Sequence, residues 1–356
     1  MLLDPKYLEN FPIEKSCTIP SDWYYKEKIF EIEKRNIFLK SWHLIGSESK
    51  IPNTGDTFIS QVVDQPILFT RQKDKSIKAF YNVCQHRGGP LLRESCSIKS
   101  FQCKYHGWTY KIDGELKSTR EFQGVKDFNK QDYKLKSIKL KCWMGLIFIN
   151  LNNKIHSSDL KTEEIEKRIY PSDISKYKYH SRISYHIKCN WKTYVDNYLE
   201  GYHIPFVHPK LNNLIDYKSY KTELYDNYSL QWAPIDPGSS PYKKNERSIN
   251  KAYYFTIFPN ILLNIAPGRL QTNIIEPVSA KTCLVHFDYY FESLSQKSLK
   301  KDFDFSEEIQ QEDIQICEEV QKGLESLGYD QGRISFQSEK GLHHFQSILK
   351  RNLSNG

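Results

Sequence analysis

Two histidines five residues apart, His203 and His208, could do metal chemistry. The stretch before them opens at Asn190, a good helix N-cap, and apolar residues then recur at helical spacing. Pro205 cannot continue that helix, so the chain must turn between the two histidines and can bring them side by side. Two histidines supply two-thirds of the 2-His-1-carboxylate set that binds non-haem Fe(II). The alternative is a pair of satisfied, partly buried histidines at a helix end.

A second group lies nearer the N terminus, where Cys84 and His86 are followed by Cys103 and His106. Two tight loops, each offering one thiolate and one imidazole, can hold a small metal centre from both sides. Placing the cysteines on one iron and the histidines on the other gives the ligation of a Rieske [2Fe–2S] cluster. The alternative is structural zinc, but a zinc finger groups like ligands together, whereas each of these loops mixes them.

Taken together, the two motifs resemble the large (alpha) subunit of Rieske non-haem iron oxygenases, in the aromatic-ring-hydroxylating dioxygenase superfamily. The resemblance covers about residues 40 to 350 and rests on Cys84-x-His86-Arg87-Gly88, Cys103-x₂-His106-Gly107-Trp108 and Asn197-Tyr-x-Glu200-x-Tyr202-His203-x₄-His208. It implies an α+β fold, with an N-terminal all-β Rieske domain and a helix-grip (START/SRPBCC-like) catalytic domain on an antiparallel sheet. The implied cofactors are the [2Fe–2S] cluster and a mononuclear Fe(II), with O₂ as co-substrate.

The third iron ligand is expected from a late helix that begins at Asp304 or Ser306 and runs through Leu327. Asp313 falls in the middle of its apolar stripe, where an unpaired carboxylate would be costly. Glu312 lies off the stripe and is expected to be solvated. The resemblance likewise places a ligand aspartate a few residues before a Val-Gln-x-Gly-Leu segment. Asp313 is therefore the predicted third ligand.

Three polar residues close to the histidines are candidate catalytic residues: Asp196, Asn197 and Glu200. On a continuous helix Asp196 and Glu200 would share a face with His203. The resemblance implies a ring-shaped homotrimer in which the cluster of one subunit feeds the iron of its neighbour across an acidic bridge. The position matching that bridge is Glu200. Its alternative is a solvated helix glutamate.

The identity of residue 200 also indicates the class of substrate. Ring-dihydroxylating members usually have aspartate there, and Glu200 before Gly-Tyr-His resembles the branch acting on choline, carnitine and betaines. Those enzymes hydroxylate a C–H bond, often beside nitrogen, which leads to N-dealkylation. A quaternary ammonium needs aromatic faces, and the available tyrosines are Tyr202, Tyr217, Tyr220, Tyr253, Tyr254, Tyr289 and Tyr290.

Two alternatives stay open. One is a ring-hydroxylating dioxygenase or an O- or N-demethylase that acts on an aromatic or other organic acid. The other is a non-catalytic electron carrier or metal-stabilised binding module, although a carrier has no use for a second metal motif.

The elements that must position these motifs fall into three segments. Residues 1–40 are predicted to form an N-terminal arm and helix that packs on the catalytic domain, 41–155 the Rieske domain, and 156–356 the catalytic domain. The linker 155–178 should contain a helix at 158–168, and 209–250 is expected to be irregular. Strands are predicted at 58–62, 67–70, 77–81, 143–151, 183–189, 252–258, 261–265, 270–276 and 282–291.

The composition of the chain limits which classes of partner and which location we expect. The net charge of +8 forms no basic block, which argues against nucleic acid. There is no apolar run of ~18 residues and no signal-peptide pattern, so we expect no membrane span and a cytoplasmic location. The six cysteines outside the cluster motif are expected to be buried thiols rather than a disulfide framework. The chain has no dinucleotide-binding fingerprint, so electrons should come from a separate NAD(P)H-dependent flavin/ferredoxin reductase.

Overall fold

The computed structural model describes residues 3–154, 160–214, 217–235, 251–293 and 295–354. Its contacts divide the chain into two compact units. One unit is Trp42–Leu160, and the other combines Met1–Ser41 with Lys161–Gly356. The predicted breaks come after residues 40 and 155, and the second of these falls outside the described residues. Strands dominate the first unit while the second mixes helices with one sheet, so the predicted α+β class is confirmed.

The Trp42–Leu160 unit contains two antiparallel sheets within its described residues. Six strands run in the order β1-β9-β8-β4-β3-β2. Their bounds are β1 Trp42–Ser47, β2 Thr57–Val62, β3 Gln65–Arg71, β4 Ile77–Tyr81, β8 Ser137–Trp143 and β9 Leu146–Asn150. A smaller sheet runs β5-β6-β7, with bounds Ser100–Gln102, Thr109–Lys111 and Leu116–Ser118.

The single strand predicted at 143–151 is wrong. The chain reverses at Met144 and Gly145, which both have positive φ (47° and 80°), and β8 and β9 pair as a hairpin across this turn. Two consecutive positive φ angles give the turn that matches the twist of a two-residue hairpin. The uninterrupted apolar pattern concealed it because glycine is the only turn residue there.

The second unit is built on a seven-stranded antiparallel sheet in the order β10-β16-β15-β14-β13-β12-β11, counted over the described residues. The strands are β10 Lys178–Ile187, β11 Lys221–Leu224, β12 Tyr228–Pro234, β13 Lys251–Ile257, β14 Ile261–Ala266, β15 Arg269–Ser279 and β16 Thr282–Phe291. Its α-helices are α1 Glu27–Asn36, α2 Thr162–Ile169, α3 Trp191–Tyr198, α4 Ile204–Val207, α5 Pro209–Leu214, α6 Gln296–Leu324 and α7 Lys340–Ser354.

Several expectations for this unit need correction. The segment 209–250 is not irregular where it is described, since α5, β11 and β12 lie in it, while 236–250 falls outside the described residues. The helix expected at 158–168 is observed from Thr162, and 158–159 are not described. The late helix begins at Gln296, capped by Ser295, and ends at Leu324.

The six remaining cysteines differ in burial. Cys189, Cys283 and Cys317 are buried as expected, Cys17 is only half-buried, and Cys96 and Cys142 are exposed, so the prediction is wrong for the last two. Cys142 occupies an outward position in the alternation of β8. None of the described helices is long and apolar enough to span a membrane.

Candidate metal centres and active site

The two cysteine-histidine loops have the same backbone construction. The amide of Cys84 donates to the carbonyl of Gly89 (2.8 Å), and the amide of Gly88 donates back to the carbonyl of Cys84 (3.0 Å). The second loop repeats this with Cys103, whose amide donates to the Trp108 carbonyl and whose carbonyl accepts from Gly107, both at 2.9 Å. Gly88 and Gly107 have φ of +74° and +73°, which explains the glycine four residues after each cysteine.

These loops bring the four predicted cluster ligands together. The rings of His86 and His106 have centroids 4.8 Å apart, and His86 stacks on Trp108 at 4.7 Å. The Cys84 thiol lies 3.3 Å from the Tyr110 hydroxyl. Burial raises the pKa of Cys84, and the nearby Cys103 raises the pKa of Cys84 further. A Cβ on Gly89 would lie 3.2 Å from the Cys103 sulfur, so a larger residue at this position would crowd that ligand atom.

The donor set of this pocket fits a mixed-ligand [2Fe–2S] cluster. Both cysteines are buried. His86 Nδ1 is buried without a hydrogen-bond partner in the described part of the chain, which is costly unless another ligand satisfies it. Burial, followed by His106 and Arg87, lowers the pKa of His86, so its imidazole is kept neutral as a metal ligand requires.

In the second unit, α3 and the turn after it position the histidine motif. Asn190 caps α3 by accepting from the Lys192 amide (2.8 Å), and its side-chain amide donates to the Ala280 carbonyl (2.7 Å). The helix ends at Tyr198, earlier than expected. Glu200 and His203 therefore lie beyond it, and the expectation that they share one helical face with Asp196 is wrong. The short α4 follows, with Pro205 in its first turn, and the His208 amide donates to the Ile204 carbonyl (2.9 Å).

The three predicted iron ligands converge here. His203, His208 and Asp313 each place one ligand atom within 4.8 Å of the others. His208 Nε2 lies 3.0 Å from Asp313 Oδ1, and His203 Nε2 lies 3.9 Å from the same oxygen. Asn197 donates its side-chain amide to that oxygen at 2.6 Å and so orients the carboxylate. One carboxylate and two imidazoles around a common point fit the facial triad of non-haem Fe(II).

A glutamate carboxylate contacts the Nδ1 atom of each histidine. His203 Nδ1 lies 2.7 Å from Glu200 Oε1, and His208 Nδ1 lies 2.7 Å from Glu312 Oε2. A carboxylate on Nδ1 fixes the proton there and leaves Nε2 as the metal-facing atom. The expectation that Glu312 is solvated is therefore wrong. Adjacent helix residues point about 100° apart, and His208 is large enough to contact both Glu312 and Asp313.

The charge balance at these side chains favours a bound cation. Burial lowers the pKa of His208, but Asp313 and Glu312 outweigh that effect and raise the pKa above its ordinary value. With a proton on Nδ1, the Nε2 lone pair of His208 faces a carboxylate oxygen at 3.0 Å. Two acceptors that close are stabilised by a positive charge between them, which a second ring proton can supply in the free protein and a metal ion would supply once bound.

The other two candidate catalytic residues have different surroundings. Asn197 lines the cavity beside the three ligands. Asp196 is not among the residues described as lining that cavity. It accepts from the Tyr24 hydroxyl (2.5 Å) and the Gln346 side-chain amide (3.4 Å), and burial raises its pKa to about 7. Asp196 therefore ties α3 to the N-terminal segment and α7.

A cavity of about 170 Å³ opens directly onto the three ligands. Among the described residues, seven tyrosine and phenylalanine side chains line it: Tyr194, Tyr198, Tyr220, Tyr253, Tyr254, Phe287 and Phe305. Of the tyrosines named from the sequence, Tyr220, Tyr253 and Tyr254 are among these, whereas Tyr202, Tyr289 and Tyr290 are not. The side chain of Tyr217 lies outside the described part. Tyr194, Tyr198, Phe287 and Phe305 were missed because strand and helix positions do not reveal which face meets the cavity.

Burial raises the pKa of four cavity tyrosines, Tyr194, Tyr198, Tyr253 and Tyr254, so these side chains are neutral phenols. Tyr198 donates its hydroxyl to Asn264 (2.5 Å) and Tyr220 to Gln231 (2.9 Å). Burial raises the pKa of Tyr198 well above the ordinary value and that of Tyr254 to about 12. Their attraction for a cation would come from ring faces rather than phenolate charge.

The described lining of the cavity also includes an arginine that sequence reasoning did not single out. Arg269 is 7 % exposed and pairs with Asp302 at 2.9 Å. Its guanidinium lies 5.5 Å from the centre of the Tyr289 ring. Gln271, Ser306 and Gln310 line the same wall.

Comparison with known proteins agrees with both metal motifs. Residues 41–129 match the model of the Rieske [2Fe-2S] domain, and residues 174–355 match that of the ring hydroxylating alpha subunit (catalytic domain). This chain is a member of the Rieske oxygenase alpha-subunit family. It therefore has a Rieske [2Fe–2S] domain and the catalytic domain of a mononuclear iron oxygenase, and it is an oxidoreductase. When bound, the cluster supplies electrons one at a time and the mononuclear iron activates O₂.

Several relatives in this family match over nearly the whole chain. The carnitine monooxygenase oxygenase subunit of Escherichia coli is 33% identical over 367 residues, covering 98% of each chain. The choline monooxygenase of Arabidopsis thaliana chloroplasts is 31% identical over 366 residues, covering 98% of this chain and 85% of the relative. The solved structure of a quaternary ammonium Rieske monooxygenase has a TM-score of 0.86 at 30% identity, covering 97% of this chain and 99% of the other. Naphthalene 1,2-dioxygenase, at 19% identity and a TM-score of 0.78, shares the fold alone.

Proposed function

We propose that this Rieske oxygenase is a monooxygenase of a quaternary ammonium compound. The observation that carries the proposal is the aromatic cavity beside His203, His208 and Asp313. Burial keeps the hydroxyls of Tyr198 and Tyr254 neutral, and Arg269, the one arginine among the described lining residues, is paired with a buried carboxylate. Such a cavity offers a trimethylammonium group ring faces and imposes little charge repulsion. Relatives named as choline and carnitine monooxygenases support the same substrate class.

Each candidate site residue has one role in this proposal. Cys84, Cys103, His86 and His106 hold the cluster, and His203, His208 and Asp313 hold the mononuclear iron. Glu200 hydrogen-bonds His203 and forms the acidic bridge by which electrons reach that histidine. Asn197 orients Asp313, and Asp196 keeps α3 in place.

The overall reaction balances as one oxygen insertion. The substrate C–H bond, O₂, two electrons and two protons give a C–OH group and water. If the hydroxylated carbon is bonded to nitrogen, the C–N bond then breaks to release an aldehyde or ketone and an amine. The electrons come from a separate NAD(P)H-dependent flavin/ferredoxin reductase, since this chain carries no dinucleotide fingerprint. We further propose a homotrimer and a cytoplasmic location.

An organic acid is the second candidate substrate, because Arg269 lines the cavity.

To test the proposed function, the purified, iron-loaded protein is incubated with a Rieske-oxygenase reductase, NADH and either quaternary ammonium compounds or aromatic acids. We expect substrate-dependent O₂ uptake and release of amine or aldehyde from choline, L-carnitine or γ-butyrobetaine. Turnover of aromatic acids with no response to any of the three ammonium compounds would contradict the proposal.

A further inference from the structure

A buried amide donor in the cavity wall has no hydrogen-bond partner in the part of the chain that the structure describes. Gln310 lies on α6, lines the cavity and is 2 % exposed. Its Oε1 accepts from the Tyr194 hydroxyl at 2.8 Å. Its Nε2 is buried and has no hydrogen-bond partner among the residues that the structure describes. Leaving a buried donor unpaired is unfavourable, so this atom indicates where a ligand acceptor belongs.

The wall around Gln310 is rich in oriented donors. Arg269 donates through Nη2 to Gln271 Oε1, and Ser306 donates to the same oxygen at 3.4 Å. Asp302 is 1 % exposed and is not among the lining residues, so it fixes the guanidinium from the side away from the cavity. Arg269 and Gln310 thus belong to one polar wall with Gln271 and Ser306 between them.

This polar wall lies close to the iron ligands. Ser306 and Gln310 are one helical turn apart on α6, and Asp313 follows Gln310 by three residues. At about 1.5 Å of rise per residue, Gln310 and Asp313 are about 4.5 Å apart along the helix axis. A short molecule can therefore reach from the iron ligands to the wall.

We propose that Gln310 and Arg269 bind the carboxylate of the substrate. This rests on the proposed function and narrows it: the substrate is a zwitterion with a quaternary ammonium at one end and a carboxylate at the other. The ammonium lies among the tyrosine rings, and the carboxylate satisfies the open donor of Gln310 and accepts from the fixed guanidinium. A simple amino alcohol such as choline would leave these donors without a charged acceptor.

The first test uses the unchanged protein. The dissociation constants of γ-butyrobetaine, its methyl ester and choline are measured by titration calorimetry on the iron-loaded protein. The ester keeps the ammonium and chain length but has no charge on the acid group. We expect the acid to bind about 10-fold or more tightly than either the ester or choline, because a hydrogen bond to a charged group is lost in both.

The second test changes the donor alone. Gln310→Glu retains an oxygen for the Tyr194 hydroxyl but replaces the Nε2 donor by an acceptor that repels a carboxylate. We expect its acid-to-ester preference to fall by about 10-fold or more. Gln315→Glu is the matched control, since Gln315 is on the same helix but exposed. It should keep the preference of the unchanged protein.

The outcomes separate this inference from the proposed function. If acid and ester bind equally, or if Gln310→Glu keeps the full preference, the carboxylate site is wrong while turnover of quaternary ammonium compounds can stand. If acid, ester and choline all fail to bind or turn over, the proposed function fails as well. A strong acid preference lost in Gln310→Glu and kept in Gln315→Glu supports the inference.

Discussion

His203 and His208 each carry a carboxylate on the ring nitrogen that faces away from the cavity. Glu200 lies on the first and Glu312 on the second, both at 2.7 Å. This arrangement sets the tautomer of each imidazole and its orientation before any metal binds. The two glutamates differ in setting, because Glu200 also accepts the backbone amide of His203 (3.1 Å) whereas Glu312 comes from the long helix α6.

Glu312→Gln is expected to weaken mononuclear iron binding by about 10- to 100-fold. The amide cannot hold the Nδ1 proton of His208 as strongly, so the ring loses its fixed orientation. Iron affinity measured by competition with a chelator checks this, and the absorption of the Rieske cluster should be unchanged. Glu319→Gln, an exposed change on the same helix, is the control. Equal iron affinity in both variants would show that Glu312 does not position His208.

For single residues, the sequence predicted which side chains converge better than it predicted their surroundings. Spacing and residue type were enough to group His203 with His208, and the stripe of α6 pointed to Asp313. The contact of Glu312 with His208 depends on how α6 crosses the turn after α3, which no local pattern encodes. The open donor of Gln310 is likewise a property of packing.

Among the elements, α6 shows why a helix boundary was misplaced. The helix was expected to begin near residue 304, yet it starts at Gln296. Its N-terminal half buries Asp302, Ser306 and Gln310, and this interrupts the apolar stripe. Those polar residues are tolerated because Arg269, Tyr289 and Tyr194 supply partners. In contrast, β13 to β16 were predicted within three residues because their alternation is regular.

The packing of α7 against the end of α3 provides an element-scale prediction. A Cβ on Gly341 would lie 2.3 Å from the Leu199 carbonyl oxygen, one residue before Glu200. Gly341→Ala is therefore expected to lower the free energy of unfolding by about 1–3 kcal/mol. Denaturant unfolding measures this. Gly323→Ala is the matched control, because no described atom outside its own stretch of helix lies within 4 Å of an added Cβ, and it should stabilise α6 by about 0.5–1 kcal/mol. A similar change in the free energy of unfolding for both variants would contradict the close packing at Gly341.

Stability of the whole molecule should depend on the protonation of Asp196. Burial raises its pKa to about 7, above that of an unfolded aspartate. The stabilising contribution of the protonated form is therefore complete below pH ~4 and is lost as the pH rises through ~7. Tyr24, Lys192, Gln346 and Glu339 are the groups that act on it. Lys192 is itself paired with the buried carboxylate of Glu33 at 2.6 Å.

Asp196→Asn keeps the acceptor for Tyr24 but cannot ionise. We expect the variant to gain stability relative to the unchanged protein between pH 5 and pH 8, by a few kcal/mol at most. Thermal unfolding across that range measures the difference. A constant difference at all pH values would show that Asp196 does not titrate there.

The proposed electron transfer through Glu200 connects the two metal centres and provides a further prediction for the whole molecule. Because Glu200→Gln should hold the Nδ1 proton of His203 less strongly, the variant is loaded with excess Fe(II); we then expect both metal centres to be bound while oxidation of the reduced cluster in a single turnover slows by about 10- to 100-fold. Rapid-mixing absorption follows the cluster. An unchanged rate with both metals present would contradict the bridge role.

The account depends most on two different iron centres in one chain. The direct measurement is the iron and acid-labile sulfide content of the purified protein, with an EPR spectrum after mild reduction. We predict about three irons and about two sulfides per chain, and a Rieske-type signal from the reduced cluster. A colourless protein that is EPR-silent on reduction and loaded with zinc would contradict it.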